Sequence, residues 1–216
     1  MINWQNIDSV LLDMDGTLLD IHFDNYFWLE LVPARYAEQH RLTLEEARCH
    51  LEPRFRALEG RLEWYCLDYW SQQLNLDIVA LKIEMAGLIS VLPHATSFLD
   101  RVRNLRKRLV LVTNAHPKGL ALKLERSSLR PFFDSVVSSH ALGHPKEDPA
   151  FWSKLQDIES FNPKHTLLAD DSLSVLRAAR EFGIQHLVAI RKNDSRRPPR
   201  SIAEFPAIED FRELMP

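Results

Sequence analysis

Short, continuous apolar runs recur along the chain and alternate with stretches of helical periodicity. The runs do not alternate between apolar and polar positions, which is typical of strands buried on both faces of a parallel sheet. They cover residues 10–12, 109–112, 136–137, 166–169 and 186–190. Helices are predicted over 96–107, 117–126 and 172–182, with another after Asp148. Strands that alternate with helices predict an α/β fold with a doubly wound, Rossmann-like parallel sheet.

The segment of residues 21–92 breaks this alternation because it contains no clear strand. Its periodicity predicts amphipathic helices over 25–40, 43–59, 62–74 and 77–88. Thr43 is followed three residues later by Glu46, which predicts a capping box at a helix start. We therefore predict an α/β core of residues 1–20 and 93–216 and a helical domain of residues 21–92 inserted after the first strand. A short helix over 208–214 is expected to close the chain.

The composition limits which kinds of partner and which cellular location we expect for this protein. The chain has 216 residues and a formal net charge of -3, so no strong field would attract nucleic acid or an anionic membrane. No apolar run approaches the length of about 18 residues that a spanning helix needs, and no signal peptide is recognisable. A soluble, cytoplasmic protein is expected. The two cysteines, Cys49 and Cys66, lack metal-ligand spacing, which argues against a zinc site.

Two carboxylates follow the first apolar run, with one residue between them. Asp13 and Asp15 lie where the predicted strand ends, and Gly16 allows a sharp turn after them. In an open α/β sheet, ligands bind beyond the carboxyl ends of the strands. Carboxylates this close repel each other unless a cation lies between them or one of them holds a proton. We therefore expect Asp13 and Asp15 to face a bound ligand.

The other strand ends carry polar groups that complement this pair. Thr113 and Asn114 precede a helix, and backbone N–H groups at a helix start can bind phosphate. Lys146 lies in a loop before another helix, and Asp170 and Asp171 follow the run at 166–169. Hard oxygen ligands that converge on one edge of a sheet suit Mg²⁺. The sequence therefore predicts a magnesium and phosphate site at this edge.

The order of these groups resembles the four motifs of the haloacid dehalogenase (HAD) superfamily. The residues that carry the resemblance are Asp13-x-Asp15-Gly16-Thr17, Thr113-Asn114, Lys146 and Asp170-Asp171, and the resemblance covers the whole chain. The helical insert lies where this family has its first cap domain. The resemblance implies a Mg²⁺-dependent hydrolase of a small-molecule phosphate ester, with a cap that closes over the site.

The resemblance also implies how the acidic residues share the chemistry. Asp13 is the implied nucleophile, which forms an aspartyl-phosphate, and Asp15 is the implied general acid and base. Mg²⁺ would be held by Asp13, the backbone carbonyl of Asp15 and one carboxylate of the 170–171 pair. We favour Asp171 as the direct metal ligand and Asp170 as the residue that orients Lys146; the reverse assignment stays open.

The phosphate is implied to be bound by residues from two further motifs. Thr113, Asn114 and Lys146 would stabilise the charge on the transferring oxygens, and Lys146 is therefore also counted as catalytic. One position departs from the family. Glu147 stands where many relatives have a proline after this lysine, which leaves the shape of the loop open.

Longer stretches indicate a substrate class. Residues 11–19, 23–28, 64–70, 113–117 and 145–148 resemble the bacterial nucleotidases of this superfamily that hydrolyse GMP and IMP. This likeness implies a purine nucleoside monophosphate as the substrate. Aromatic side chains of the insert could stack on its base, but their helical spacing also fits a core, so none is assigned to the base.

Several alternatives stay open or are disfavoured by particular residues. A phosphatase or phosphomutase acting on a sugar phosphate has the same motifs. A dehalogenase is disfavoured because it needs no acid to protonate its leaving halide, whereas Asp15 would supply such an acid. A phosphonatase needs a lysine in the insert, where Lys82 is the single candidate. A phosphate-binding or signalling module without turnover is disfavoured by Asp15 and by the size of the insert.

Overall fold

The computed structural model describes residues 2–216 and contains one sheet of parallel strands. The strands are β1 Ser9–Leu12, β2 Arg108–Thr113, β3 Ser135–Ser138, β4 Thr166–Asp170, β5 His186–Ile190 and β6 Ala207–Ile208. Their order in the sheet is β3-β2-β1-β4-β5-β6, which is the order of a doubly wound Rossmann-like fold. The fold class predicted from the sequence is therefore confirmed.

The unalternating apolar runs are explained by helices on both faces of this sheet. Val10 and Leu12 of β1 pack into one hydrophobic cluster, whereas Leu11 between them packs into a second cluster on the opposite face. The first face is covered by α7 Ala95–Asn104 and α8 Pro117–Ser127, and the second by α10 Pro149–Ile158 and α11 Leu173–Phe182. The short helix α9 Ser139–Leu142 follows β3. All four residues of β1 are therefore buried, and its apolar positions are shared between the two faces.

The segment between β1 and β2 is helical and has a hydrophobic cluster of its own. Its helices are α1 His22–Tyr26, a π-helical turn Phe27–Leu31, α2 Val32–His40, α3 Leu44–Arg56, α4 Leu62–Tyr65, α5 Leu67–Leu74 and α6 Ile78–Glu84. Phe27, Leu51 and Trp70 are among the buried residues of this cluster, none of which comes from the sheet. The capping box is present, because Thr43 Oγ1 accepts from Glu46 N and Glu46 Oε2 accepts from Thr43 N. No helix of the described part of the chain is long and apolar enough to cross a membrane.

The insert joins the sheet through two neighbouring segments. Leu19 and Val91 form an antiparallel bridge. Asp20 N donates to Ser90 O at 2.9 Å, and Leu92 N donates to Leu18 O at 2.8 Å. The chain therefore leaves and re-enters the α/β part at one place, close to the carboxyl end of β1.

Several element boundaries differ from the sequence-based expectation. The helix predicted over 62–74 is interrupted at Cys66, whose extended backbone separates α4 from α5. The helix predicted over 77–88 ends at Glu84 and continues as a 3₁₀ turn, Ala86–Leu88. The prediction of a closing helix over 208–214 is wrong at its start. Ile208 belongs to the edge strand β6 and pairs with Ile190 of β5. Only Phe211–Leu214 is helical there, as a 3₁₀ turn that Asp210 caps. These boundaries depend on tertiary pairing, which local periodicity does not report.

Candidate active site

Carboxylates from the ends of β1 and β4 meet at one edge of the sheet. Asp13 N donates to Ala169 O at 3.1 Å, which continues the pairing of β1 with β4 by one residue. Carboxylate oxygens of Asp13, Asp170 and Asp171 all lie within 4.8 Å of one another. The carboxyl ends of β1 and β4 adjoin because these strands are neighbours at the point where the strand order reverses. The structure thus brings together the acidic groups that the sequence placed on separate strands.

Lys146 is the cation at the centre of this cluster. Its side chain is 2% exposed, and its Nζ lies 2.5 Å from Asp13 Oδ1 and 2.7 Å from Asp170 Oδ2. Nζ also donates to Val112 O at 3.1 Å. Burial lowers the pKa of Lys146, but the carboxylates of Asp13 and Asp170 together have the larger effect. The pKa of Lys146 is therefore raised. These contacts therefore favour the protonated form of Lys146, with Asp170 beside it.

The carboxylates carry more negative charge than this lysine offsets. Burial raises the pKa of Asp13 to about 7 against the opposing effect of Lys146. Burial also raises the pKa of Asp170 to about 6, again against Lys146. Burial and the Asp13 carboxylate raise the pKa of Asp171 to about 6. Clustered oxygen donors with uncompensated charge are what a hard divalent cation such as Mg²⁺ requires, so the residues present fit this metal.

Asp171 is oriented by the chain that follows β5. Asn193 Nδ2 donates to Asp171 Oδ2 at 2.8 Å. Arg200 donates to the backbone carbonyl of Asp171 at 2.6 Å and to Ile190 O at 2.6 Å. Two side chains of this Arg- and Pro-rich stretch hold Asp171 in place. Asp171 is thus held beside Asp13 by Asn193 and Arg200.

Asp15 faces a second buried group of charges. Its Oδ1 lies 2.7 Å from Lys123 Nζ, which also contacts Asp24 Oδ2 at 2.6 Å. Lys82 Nζ lies 2.7 Å from the other oxygen of Asp24. Burial raises the pKa of Asp15 although Lys123 opposes it. A carboxyl group that holds its proton more strongly than usual suits a general acid.

Asp24 links this charge network to the insert. Burial alone would raise the pKa of Asp24, but Lys123 and then Lys82 outweigh it and hold that pKa well below its usual range. Lys123 belongs to α8, whereas Asp24 and Lys82 belong to α1 and α6 of the insert. The side chain that orients Asp15 is therefore itself fixed by helices of the insert.

The phosphate-binding candidates Thr113 and Asn114 line the same cavity as the carboxylates. Thr113 Oγ1 accepts a hydrogen bond from Ala115 N at 3.0 Å, which leaves its O–H group able to donate. Asn114 Oδ1 accepts from Lys146 N at 2.9 Å, and its Nδ2 donates to Glu147 Oε2 at 2.9 Å. Both side chains are buried. Glu147 thus replaces the proline expected from the family and fixes the Asn114 amide.

Tyr65 is the residue of the insert that lines the site. Its hydroxyl donates to Glu147 Oε1 at 2.6 Å. The residues lining the cavity, whose volume is about 80 Å³, are Asp13, Asp15, Tyr65, Thr113, Asn114, Ala115, Lys146, Glu147, Asp170, Asp171, Ser172 and Val175. All the predicted site residues therefore line one cavity, whereas Lys82 is not among its lining residues.

Four residues of this site were missed by the sequence interpretation: Asp24, Tyr65, Lys123 and Glu147. A signal existed for the lysine of α8, because Lys123 follows Gly119 and Leu120 on the buried face of that helix. A lysine on an apolar helix face is an exception to the usual burial pattern and marks a buried ion pair. Tyr65 and Glu147 offered no such signal, since their partners are distant in sequence.

Gly16 is expected to tolerate no side chain. Its φ is +81°, and a Cβ atom there would lie 2.5 Å from Asp171 Oδ2. Gly16→Ala should destabilise the fold by about 1–3 kcal/mol and lower kcat by roughly 100-fold or more, because Asp171 must move. Gly60→Ala is the matched control, since Gly60 has φ +79° but no atom within 4 Å of the added Cβ. Thermal unfolding and phosphate release measure both effects; equal kcat in the two variants would contradict the proposed contact.

Comparison with known proteins identifies the family. The sequence profile of the haloacid dehalogenase-like hydrolases matches residues 7–183. The chain is 40% identical over 215 residues to the GMP/IMP nucleotidase YrfG of Escherichia coli strain K12, covering 100% of this chain and 97% of that protein. A crystal structure of a HAD phosphatase from Thermococcus onnurineus is similar in fold, with a TM-score of 0.80, 22% identity and 96% of both chains covered. The magnesium-bound putative HAD-hydrolase YfnB of Bacillus subtilis has a TM-score of 0.65, 20% identity and 96% of both chains covered.

The chain therefore belongs to the haloacid dehalogenase-like hydrolase family. The resemblance inferred from the four motifs is confirmed by the family match and by the full-length relative. The predicted class of enzyme, a phosphoric monoester hydrolase, is confirmed with it.

Proposed function

We propose that this protein is a Mg²⁺-dependent 5′-nucleotidase that hydrolyses purine mononucleotides, GMP or IMP, through an aspartyl-phosphate on Asp13. The observation that carries the reaction type is the cluster of Asp13, Asp170 and Asp171 around Lys146 at the switch point of the sheet. The substrate class is supported by 40% identity over the full length to a protein named for GMP and IMP hydrolysis.

Mg²⁺ would be held by Asp13, the backbone carbonyl of Asp15 and Asp171. When bound, the ion supplies positive charge that offsets repulsion between the Asp13 carboxylate and the anionic phosphate. Asp170 contacts Lys146 at 2.7 Å, which favours Asp171 over Asp170 as the direct ligand. The magnesium reported for the relative from Bacillus subtilis is consistent with a magnesium site in this fold.

Hydrolysis then follows in two displacements on phosphorus. Asp13 Oδ attacks the phosphorus, the bond to the ester oxygen breaks, and Asp15 gives its proton to the leaving alkoxide. Asp15 next takes a proton from a water molecule whose oxygen attacks the same phosphorus, which releases inorganic phosphate and restores Asp13. Lys146, the Thr113 hydroxyl and the Asn114 backbone N–H stabilise the charge on the phosphoryl oxygens.

Residues 21–92 serve as a cap that opens for each substrate. The cavity of about 80 Å³ has room for a phosphoryl group, but ligand pockets usually measure about 300–1,000 Å³, so a nucleoside does not fit beside it. Tyr65 of this segment lines the cavity and Asp24 contacts Lys123 beside it, so opening of the cap would break both contacts. The bridge between Leu19 and Val91 is the expected hinge. Closure around the bound phosphate excludes water during the first displacement.

A substrate panel tests the proposal. Phosphate release is measured with purine and pyrimidine 5′-monophosphates and with sugar phosphates, at saturating Mg²⁺ and after chelation. We expect kcat/KM for GMP or IMP to exceed that for every sugar phosphate by at least about tenfold, because the cap must recognise the base. Activity should vanish on chelation and return with added Mg²⁺.

The possible outcomes separate the parts of this proposal. A sugar phosphate hydrolysed fastest would overturn the nucleotidase assignment and leave the phosphomonoesterase intact. Conversion of a sugar phosphate into its isomer without phosphate release would indicate a phosphomutase. No turnover of any ester would favour a phosphate-binding or signalling module, and the proposed function would be wrong.

A further inference from the structure

A second cluster of metal-ligand side chains lies between the insert and the sheet. Ligand atoms of Cys66, His116 and His140 all lie within 4.8 Å of one another. Cys66 separates α4 from α5 in the insert, His116 immediately precedes α8, and His140 lies in α9 after β3. The three residues come from different parts of the sequence, so only the packing of the insert against the sheet brings them together.

Both imidazoles of this cluster lie in surroundings that favour the neutral ring. Burial, and then the neighbouring His116 ring, lowers the pKa of His140 to about 4. Burial also lowers the pKa of His116. The two rings meet edge to face, with centroids 4.9 Å apart. Neutral imidazoles keep a lone pair on one ring nitrogen, which is the electron pair that a metal ion accepts.

His140 has a buried nitrogen without a hydrogen-bond partner. Its Nε2 is shielded from solvent, and no described residue donates to it or accepts from it. A buried polar atom of this kind carries a cost of about 1–3 kcal/mol unless a ligand or water satisfies it. An ion bound between the rings and Cys66 would satisfy it.

The ligand atoms of this cluster favour one class of metal ion over another. One sulfur and two imidazole nitrogens are the ligands of zinc and related transition metals, whereas Mg²⁺ prefers oxygen. Tetrahedral zinc, with bonds of about 2.0–2.3 Å, separates its ligand atoms by about 3.3–3.6 Å. The three ligand atoms, which lie within 4.8 Å of one another, would move closer together on binding. Asp68 Oδ2, at 3.7 Å from His116 Nε2, adds a carboxylate beside the site.

An ion can reach this cluster from the surface. Cys66 and His140 both line a cavity of about 540 Å³ between the loop before α4 and the loop that carries Lys146. This cavity shares only Glu147 with the lining of the catalytic cavity. The two cavities therefore differ in their lining residues and in their donor chemistry.

We propose that Cys66, His116 and His140 bind one Zn²⁺ ion, with water in the fourth position, and that this ion ties the insert to the α/β part of the chain. The lack of metal-ligand spacing between the cysteines argued against a zinc site, but the ligands here are not neighbours in sequence. An ion that joins Cys66 to two histidines of the other part would keep the insert closed. Zinc bound in this way should inhibit hydrolysis even at saturating Mg²⁺. Of these consequences, only the inhibition rests on the proposed function.

Cobalt(II) tests the binding site without any assay of activity. Co²⁺ is added to the full chain in excess Mg²⁺, which occupies the carboxylate site, and absorption is recorded. We expect one equivalent to give thiolate-to-cobalt charge transfer and the strong visible bands of a tetrahedral ion, and Zn²⁺ to displace it. Cys66→Ala should abolish the charge transfer, whereas Cys49→Ala, at the exposed cysteine, should retain it.

Further variants keep this test decisive. His140→Ala, on a different element, should weaken Zn²⁺ binding by at least about 100-fold in calorimetry, with circular dichroism confirming the fold. Absence of charge transfer in the wild-type protein, or its persistence in Cys66→Ala, would overturn the site. If the site binds but Zn²⁺ inhibits wild type and Cys66→Ala equally, zinc acts at the carboxylates and the inhibitory role is wrong. Failure of the substrate panel would leave the binding result unaffected.

Discussion

Asp13→Asn is expected to abolish phosphate release, with kcat lower by a factor of roughly 10⁴ or more. An amide cannot form the covalent phosphoenzyme, so the two-step path is closed and not merely slowed. Asparagine is nearly the same size and removes one charge from a crowded set of carboxylates, so the fold should persist. Single-turnover phosphate release and thermal unfolding measure the two effects.

Asp8→Asn is the matched control for this variant. Asp8 precedes β1 at the opposite end of the strand, and its side chain is 67% exposed. This change should leave kcat and the melting temperature within experimental error, because exposed substitutions usually alter stability by less than about 0.5 kcal/mol. Appreciable turnover by Asp13→Asn would mean that another group is the nucleophile.

Lys146→Met is expected to affect stability and catalysis together. Methionine matches the length of the side chain but leaves Asp13 and Asp170 without the cation that both contact. Removing one partner of a buried ion pair costs about 3–5 kcal/mol, and Mg²⁺ should recover part of this loss by binding the same carboxylates. The loss of a donor to the phosphoryl oxygens should lower kcat by roughly 100-fold or more.

Denaturant unfolding with and without Mg²⁺, combined with kcat at saturating substrate, tests this prediction. Lys164→Met supplies the control, because Lys164 is an exposed lysine next to β4 and should change neither quantity. A Lys146→Met protein of normal stability would show that Asp13 and Asp170 do not depend on this cation. Normal kcat in a folded variant would remove Lys146 from the catalytic residues.

Much of the site could be predicted from the sequence because parallel strands end at one edge. Each apolar run that is buried on both faces of the sheet is followed by the residues that project beyond that edge. The positions of Asp13, Thr113 and Asp170 directly after or at the end of such runs are therefore enough to place them near one another. The family resemblance then supplied roles for these positions that geometry alone does not assign.

The boundaries of the insert's helices and the sixth strand could not be predicted in the same way. Cys66 interrupts a periodic pattern that would continue as one helix in isolation, and Ile208 becomes a strand residue only by pairing with Ile190. A two-residue edge strand has almost no local signature, since its stability comes from its neighbour in the sheet.

The sequence by itself determined the doubly wound sheet and the strand ends that carry the acidic groups. Only the tertiary structure decided that Lys123 holds Asp15, that Glu147 joins Asn114 to Tyr65, and that Cys66 meets two histidines. The physical reason is the range of the interactions. Periodicity and strand ends are local properties of the chain, whereas these contacts form between residues whose separation in sequence carries no record of their distance in space.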